Sequence, residues 1–433
     1  MTTLVQKYGG TSVATPQHLL GVARRILEEK RLGRRMLVVV SAMGQTTDEL
    51  LALARQVSPN PPRREMDMLL TAGERITMAL LAMTLESLDV AAISFTGSQS
   101  GIITDDRHSD ARIVEIRPFR IEEALEQERV VIVAGFQGVS VHKEITTLGR
   151  GGSDTSAVAL AIRFGCPWCE IFTDVHGILT ADPRIVPAAR TLPRIGYEAT
   201  IVLSHLGAQV LFRRSVILAR KFGMPVRIRC SLSDGPETWI GPLPETTALG
   251  TARSVEASPK EAAPKEVSMM ANQPRSDLPM ESDRILSIAL EARCVTVEVE
   301  GNAPADKLLA VLGEEGGAAP WTWVEAQVLQ NRAVVRGVCP EPGPDESRLL
   351  ARTRGFGGTV RVCRDLAVVS LVGEGILARP ELLAQVHAHM TEAGISVHCA
   401  RSSSLSLSFL IDAARAEEAV RLLHKRFVGT GDA

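Results

Sequence analysis

Aromatic side chains are scarce in this chain, 4 % of 433 residues, with two Tyr, four Trp and ten Phe. A chain so short of large flat anchors must close its cores with aliphatic residues, and its hydrophobic fraction of 45 % supplies them. An excess of one charge is lacking too. Lys plus Arg (48) nearly balances Asp plus Glu (50), net −2, and no basic stripe appears, which argues against a nucleic-acid footprint. No apolar run approaches the roughly 20 residues needed to span a membrane. The N-terminus enters a strand directly, without the basic-apolar-small pattern of a signal peptide. Seven cysteines, an odd count in a long chain, make no disulfide framework, so a reducing cytoplasm is the expected compartment. Cys166-Pro167-Trp168-Cys169 spells a C-x-x-C, but no second pair stands at a zinc-site spacing and Cys169 opens an apolar strand, so a buried structural role is expected. The nine histidines are scattered, and no metal site is predicted from protein side chains alone.

Against these absences stand two glycine-containing loops. Thr146 to Ala161, Thr-Thr-Leu-Gly-Arg-Gly-Gly-Ser-Asp-Thr-Ser-Ala-Val-Ala-Leu-Ala, places Arg150, Gly151, Gly152, Ser153 and Asp154 at the start of an apolar helix. Such a start offers unpaired N–H groups and the positive end of the helix dipole to an anion. Near the N-terminus, Leu4 to Val13 reads as a strand ending in Lys-x-Gly-Gly-Thr-Ser, followed by a helix with Leu19, Leu20, Val22, Ala23, Ile26 and Leu27 on its apolar face. A strand, a glycine turn with hydroxyls and a lysine, then a helix, can cradle phosphate. Neither loop is a Walker pattern or a Gly-x-Gly-x-x-Gly. Taken alone, each reads equally well as a plain turn before a capped helix.

The chain is long enough for two or three domains. Up to about residue 246, short Val/Ile strands (Met36–Ser41, Ala91–Phe95, Val130–Ala134, Glu170–Thr173, Val226–Arg229) alternate with amphipathic helices, which predicts a parallel-rich sheet covered on both faces. Residues 247–284 shift to Ala, Pro, Ser, Glu and Lys and are expected to be a linker. An internal repeat follows, with two βαββα-like units expected at 285–363 and 364–433.

The motifs together resemble the aspartate kinases of the amino acid kinase family. The resemblance rests on Gln6 to Ser12, Val38 to Leu51 (VVVSAMGQTTDELL), Asp67 to Arg75 (DMLLTAGER), Ser94 to Thr104 (SFTGSQSGIIT), Ile132 to Gly138 (IVAGFQG), the Arg-Gly-Gly-Ser-Asp run and Thr180 to Arg184, in family order. The repeat looks like a pair of ACT domains; a generic ferredoxin-like pair with an assembly role is the plainer alternative. The resemblance implies a three-layer αβα kinase sandwich followed by two βαββαβ units. It also implies transfer of the ATP γ-phosphoryl to the β-carboxylate of L-aspartate with Mg²⁺, in the pathway to lysine, threonine and methionine. That carboxylate, with a pKa near ~3.9, is already a nucleophile at neutral pH, so the task is positioning and charge neutralisation rather than base catalysis.

By matched position, Lys7 is expected on the transferring phosphoryl, with Tyr8, Gly9, Gly10, Thr11 and Ser12 around the phosphates. Asp154 orients Lys7 or the metal, Arg150 clamps the substrate α-carboxylate and Glu74 accepts from its ammonium. Ser41, Thr47, Gly151, Gly152 and Ser153 line the same pocket. Thr173, Asp174, Leu179, Thr180, Ala181, Asp182, Pro183 and Arg184 hold the nucleotide.

The chain also departs from the family. His176 stands for an acid and Leu179 for an aromatic in the nucleotide loop, Gln209 for a lysine, and the helix Glu198 to Ser204 lacks an acid. Losing one close phosphate cation costs about 1–3 kcal/mol. In the repeat, Gly301 to Lys307 replaces an Asp-Lys-Pro-Gly turn, Gly373 to Pro380 loses the usual Met and Ser/His features, and Arg401-Ser402-Ser403-Ser404 lacks a ligand-facing acid. Feedback by lysine or threonine is therefore expected to be altered or lost. A homodimer through the ACT units is the default assembly, and Met269, Met270 or Met280 could start a separate regulatory chain. Two alternatives stay open from sequence: a kinase for glutamate or a related acid, and a non-catalytic or specialised-pathway partner.

Overall fold

The structure is a computed structural model that describes residues 1–208, 210–242, 284–315, 321–329 and 332–429. Most of the expected linker and the three candidate internal start methionines lie outside the described residues, as does Gln209.

The first half runs β1 (Thr3–Tyr8), α1 (Pro16–Arg31), β2 (Arg35–Val40), α2 (Thr46–Val57), α3 (Arg63–Glu86), β3 (Ala92–Phe95), β4 (Ile102–Thr104), β5 (Ile113–Ile116), α4 (Phe119–Glu126) and β6 (Val130–Ala134). It continues with β7 (Gln137–Ser140), β8 (Ile145–Thr147), α5 (Gly152–Arg163), β9 (Cys169–Thr173), β10 (Arg194–Ile195), α6 (Tyr197–His205), α7 (Arg213–Phe222), β11 (Val226–Cys230) and β12 (Thr238–Ile240). Eight strands form one sheet in the order β10-β12-β11-β9-β1-β2-β6-β3, parallel throughout except between β11 and β12. A second, four-stranded sheet, β5-β4-β7-β8, accompanies it.

Strand alternation sorts the core into two layers. Val5, Leu37, Val39, Val131, Val133 and Ile171 face α4, α5, α6 and α7 on one side. Leu4, Tyr8, Met36, Val38, Val40 and Phe172 face α1 and α3 on the other. This is why β2 is apolar at nearly every position: a strand covered on both faces has no wet side. Each such buried aliphatic contributes about 1.5–3 kcal/mol. The expected αβα sandwich is present. α1 starts as its sequence directs, with Thr15 accepting from the His18 amide and Pro16 in the first turn.

Among the described residues α3 is the helix long and apolar enough to cross a bilayer, yet it packs as a core helix, burying Leu81 and Leu85 and, unusually, Asp67 and Glu74. Cys166 and Cys169 are buried free thiols. Burial pushes the Cys166 thiol up to about 12 and raises the Cys169 thiol as well, so neither is a reactive thiolate.

The second half is one six-stranded antiparallel sheet, β14-β15-β13-β16-β18-β17. Its elements are β13 (Ile285–Gly301), α8 (Ala305–Glu315), β14 (Trp323–Leu329), β15 (Arg332–Pro340), α9 (Glu346–Thr353), β16 (Thr359–Gly373), α10 (Pro380–Glu392), β17 (Val397–Ser402), β18 (Ser406–Asp412) and α11 (Ala416–Leu423). The two units of the repeat are interleaved. Cys294 to Gly301 pairs with β15 and the first part of β16, whereas Ile285 to Glu291 pairs with Gly373 to Val368. The fourth strand of the second unit therefore comes from ahead of the first, and the register breaks between Glu291 and Cys294 where β13 passes from one unit to the other.

Candidate functional site

The carboxyl ends of β1, β2 and β9 lie side by side, since Lys7 pairs with Val39 and Ile171 and Tyr8 with Val40 and Phe172. Ligands of open parallel sheets bind at such ends. The turn after β1 folds back tightly, with Ser12 N–H donating to Gly9 O and Gly9 N–H to Phe172 O. The Ser12 hydroxyl is buried with no partner among the described residues, which suits a loop that awaits an acceptor.

Lys7 alternates away from Leu4 and Tyr8 and so faces α5. Its Nζ lies 2.7 Å from Asp154 Oδ1, both side chains nearly buried, as an ion pair rather than a well-aligned hydrogen bond. Asp154 is in the first turn of α5, which begins at Gly152. Gly151 caps that helix in the left-handed region, φ +68°, and a Cβ there would overlap the Phe212 ring, so glycine is required twice over. Arg150, one residue earlier, is exposed, while Ser153 is buried.

α3 supplies the third wall. Gly73 allows a close approach: a Cβ on it would sit 2.7 Å from Ala42 Cβ. That contact brings Glu74 to the turn after β2, where its Oε1 accepts from the Ala42 amide at 3.2 Å. Oε2 is buried and has no partner among the described residues. Burial raises the Glu74 carboxyl to about 7, against the lowering effect of backbone N–H groups. Ser41 and Thr47 flank this turn, both half-buried.

The nucleotide segment is placed differently. Thr173 ends β9 and Asp174 follows it, with the Thr173 hydroxyl donating to Asp174. His176 reaches Ser233 through Nε2 at 3.1 Å. Leu179, Thr180 and Ala181 run onto the second half of the chain: Ile288 N–H donates to Thr180 O, Ser287 Oγ to Leu179 O, and Thr180 Oγ1 lies 2.9 Å from His424 Nε2. Ala181 and Val186 join the core of the second repeat unit. Asp182 and Arg184 pair with each other at 2.6 Å on either side of Pro183, with the Arg184 side chain almost fully exposed. Gly207 packs closely on Leu290 O.

The structure thus brings Lys7, Gly9, Gly10, Thr11, Ser12, Asp154, Glu74, Ser41 and Ser153 around the ends of neighbouring strands. Tyr8 is core instead: it is fully buried, stacked on Phe172 at 4.7 Å and bonded to Gln6, leaving only its backbone for a ligand. Two residues of the surrounding framework escaped sequence reasoning, Asp67 and Arg214. Asp67 precedes Glu74 by seven residues, two helical turns on one face, and that spacing was the available signal.

A parallel sheet with a lysine-bearing glycine turn, an anion-ready helix start and a buried carboxylate defines a small-molecule kinase. The model of the amino acid kinase family matches residues 2–230, more than half of the chain, and an ACT domain model matches residues 369–427. The chain belongs to the amino acid kinase family, and within it to the aspartokinases. The aspartokinase of Mycolicibacterium smegmatis is 41% identical over 100% of this chain and 97% of its own length. That of Corynebacterium glutamicum is 39% identical over 99% and 96%. Among solved structures, E. coli aspartokinase III in complex with aspartate and ADP covers 98% of this chain and 99% of its own at TM-score 0.75 and 21% identity, a likeness of fold. Full-length relatedness at this level does not favour the non-catalytic alternative.

Proposed function

We infer that the chain is an aspartate kinase, transferring the γ-phosphoryl of ATP to the β-carboxylate of L-aspartate. The observation that carries the reading is Glu74 Oε2: a buried, unpartnered carboxylate oxygen is costly unless a cation meets it, and the ammonium of an amino acid is such a cation. Glu74 accepts from that ammonium, Arg150 forks onto the α-carboxylate, and Ser41, Thr47, Gly151, Gly152 and Ser153 complete the pocket. The β-carboxylate is thereby aimed at the phosphate loop.

Lys7 carries its charge to the transferring phosphoryl, and Asp154 holds the ammonium group of Lys7 in place. Gly9, Gly10, Thr11 and Ser12 offer backbone and hydroxyl donors to phosphate oxygens. Thr173, Asp174 and Leu179 to Arg184 grip the nucleotide, with Arg184 free to leave Asp182 for a phosphate. Mg²⁺, when bound with ATP, neutralises phosphate charge. It needs few protein carboxylates beyond the phosphates themselves. The orphan Ser12 hydroxyl and Asp154 fit that donor chemistry, and no cluster of three metal-ligating side chains exists among the described residues.

The reading extends to a cytoplasmic enzyme at the head of lysine, threonine and methionine synthesis, supported by seven free cysteines and the named relatives. It extends also to a homodimer through the ACT pair with an altered lysine or threonine response; E. coli aspartokinase III has been seen with lysine. Inhibition by lysine and threonine together at sub-millimolar levels would contradict the altered response.

ATP-dependent acyl phosphate trapped with hydroxylamine tests the activity. Product from aspartate, far above that from glutamate, is expected; no product from aspartate would refute it.

A further inference from the structure

Asp67 is fully buried, and its carboxylate holds three groups from outside its own helix. Thr147 Oγ1 donates at 2.6 Å, the Ser109 amide at 3.1 Å to each oxygen, and His108 Nδ1 lies at 2.7 Å. From the far side, Arg214 on α7 donates to Leu148 O and Ala111 O, both at 2.7 Å, and to Asp110 at 3.3 Å. The two segments also bond to each other, Ala111 N–H to Thr147 O. The backbone that leads directly into Gly149, Arg150 and Gly151 is therefore gripped by a buried anion on one side and a partly buried cation on the other. Asp67 shares its helix face with Glu74, seven residues on.

We propose that Asp67 and Arg214 are positioning residues for the acid substrate: through Thr147, Leu148 and the 108–111 turn they fix how far Arg150 stands from Glu74. The proposal rests on the aspartate kinase reading for its substrate but not for its geometry. Aspartate has its α-carboxylate and ammonium one carbon apart, so the two protein groups must be spaced correctly before it arrives. Neither Asp67 nor Arg214 touches the substrate. Their loss leaves Lys7 and the phosphate loop in place and frees only the carboxylate clamp.

The test uses the full chain with Asp67→Asn, Arg214→Met, Arg214→Lys and the mild Thr147→Val, which removes one hydrogen bond at nearly constant volume. The KM for aspartate is expected to rise about tenfold or more in Asp67→Asn and Arg214→Met. The KM for ATP and kcat should change little, and Arg214→Lys should recover part of the loss. Amide hydrogen exchange, read without turnover, should quicken in residues 147–152 while residues 174–184 stay as in wild type. Equal rises in both KM values, or a lowered melting temperature with the aspartate KM unmoved, would overturn the assignment. So would unchanged exchange in 147–152, even if wild type proved inactive on aspartate and the functional reading had to be replaced.

Discussion

The two substrate walls proposed for this molecule are built from different parts of the chain. The acid wall, with the Lys7–Asp154 pair beside it, lies within the first half: Lys7, Glu74, Asp154 and the Arg150 loop rest on β1, α3, α5 and, through Arg214, α7. The nucleotide wall is shared. Its Leu179 to Val186 segment is stitched to Ser287, Ile288 and His424 and buries Ala181 and Val186 in the second half's core. The strand segment Ser287 to Glu291 touches both this loop and, through Leu290, the turn at Gly207. A shift in the second half thus meets the proposed nucleotide segment first.

The largest effect that sharpens this contrast is expected at Lys7. Lys7→Ala strips a buried cation from Asp154, and breaking such a pair costs about 3–5 kcal/mol. Turnover in the hydroxylamine assay should fall by roughly a thousandfold, with aspartate affinity by calorimetry far less affected, because the lysine serves the phosphoryl. Persistent turnover would place the phosphoryl elsewhere.

Glu74 comes next. Glu74→Gln should raise the aspartate KM roughly ten- to hundredfold and leave the ATP KM alone. The wild-type carboxyl is raised by burial to about 7, so without ligand it is neutral below that pH and must ionise to meet an ammonium. Aspartate binding should therefore strengthen from pH 6 to pH 8 in wild type and be flat in the variant. For stability the sign is opposite. A carboxyl with a raised folded pKa contributes stability below its unfolded value that is lost as pH rises through about 7. The loss is up to about 3 kcal/mol and is readable as a melting temperature that falls over that window in wild type more than in Glu74→Gln.

Gly151→Ala adds a Cβ against Phe212 at positive φ. About 1–2 kcal/mol of strain is expected, seen as a tenfold weaker aspartate KM. The smallest effect belongs to the shared wall. Thr180→Val removes one hydroxyl partner from His424 and from the Arg190 amide, and should raise the ATP KM by about two- to tenfold while sparing aspartate.

Much of the acid wall was legible in advance because it consists of short contiguous motifs. The glycine turns, the helix start at Asp154 and the Asp67 to Arg75 run announce themselves by residue type and spacing. One signal was there and went unused: the period-two alternation of β1 separates Lys7, facing α5, from Tyr8, which faces α1 and α3, so placing Tyr8 among the phosphates was wrong for its ring. What sequence could not show lies in contacts distant along the chain. Thr180 meets His424 across 244 residues, and Arg214 reaches Leu148 across 66. The crossing of β13 between two repeat units was equally hidden, since a local repeat pattern cannot say which copy a strand's first half will join.

The contrast between the walls is tested most directly by titrating ADP and aspartate into wild type and His424→Leu by calorimetry. ADP affinity should weaken several-fold with aspartate affinity unchanged. Aspartate affinity falling in step with ADP would contradict the account and make the regulatory half a support for both walls.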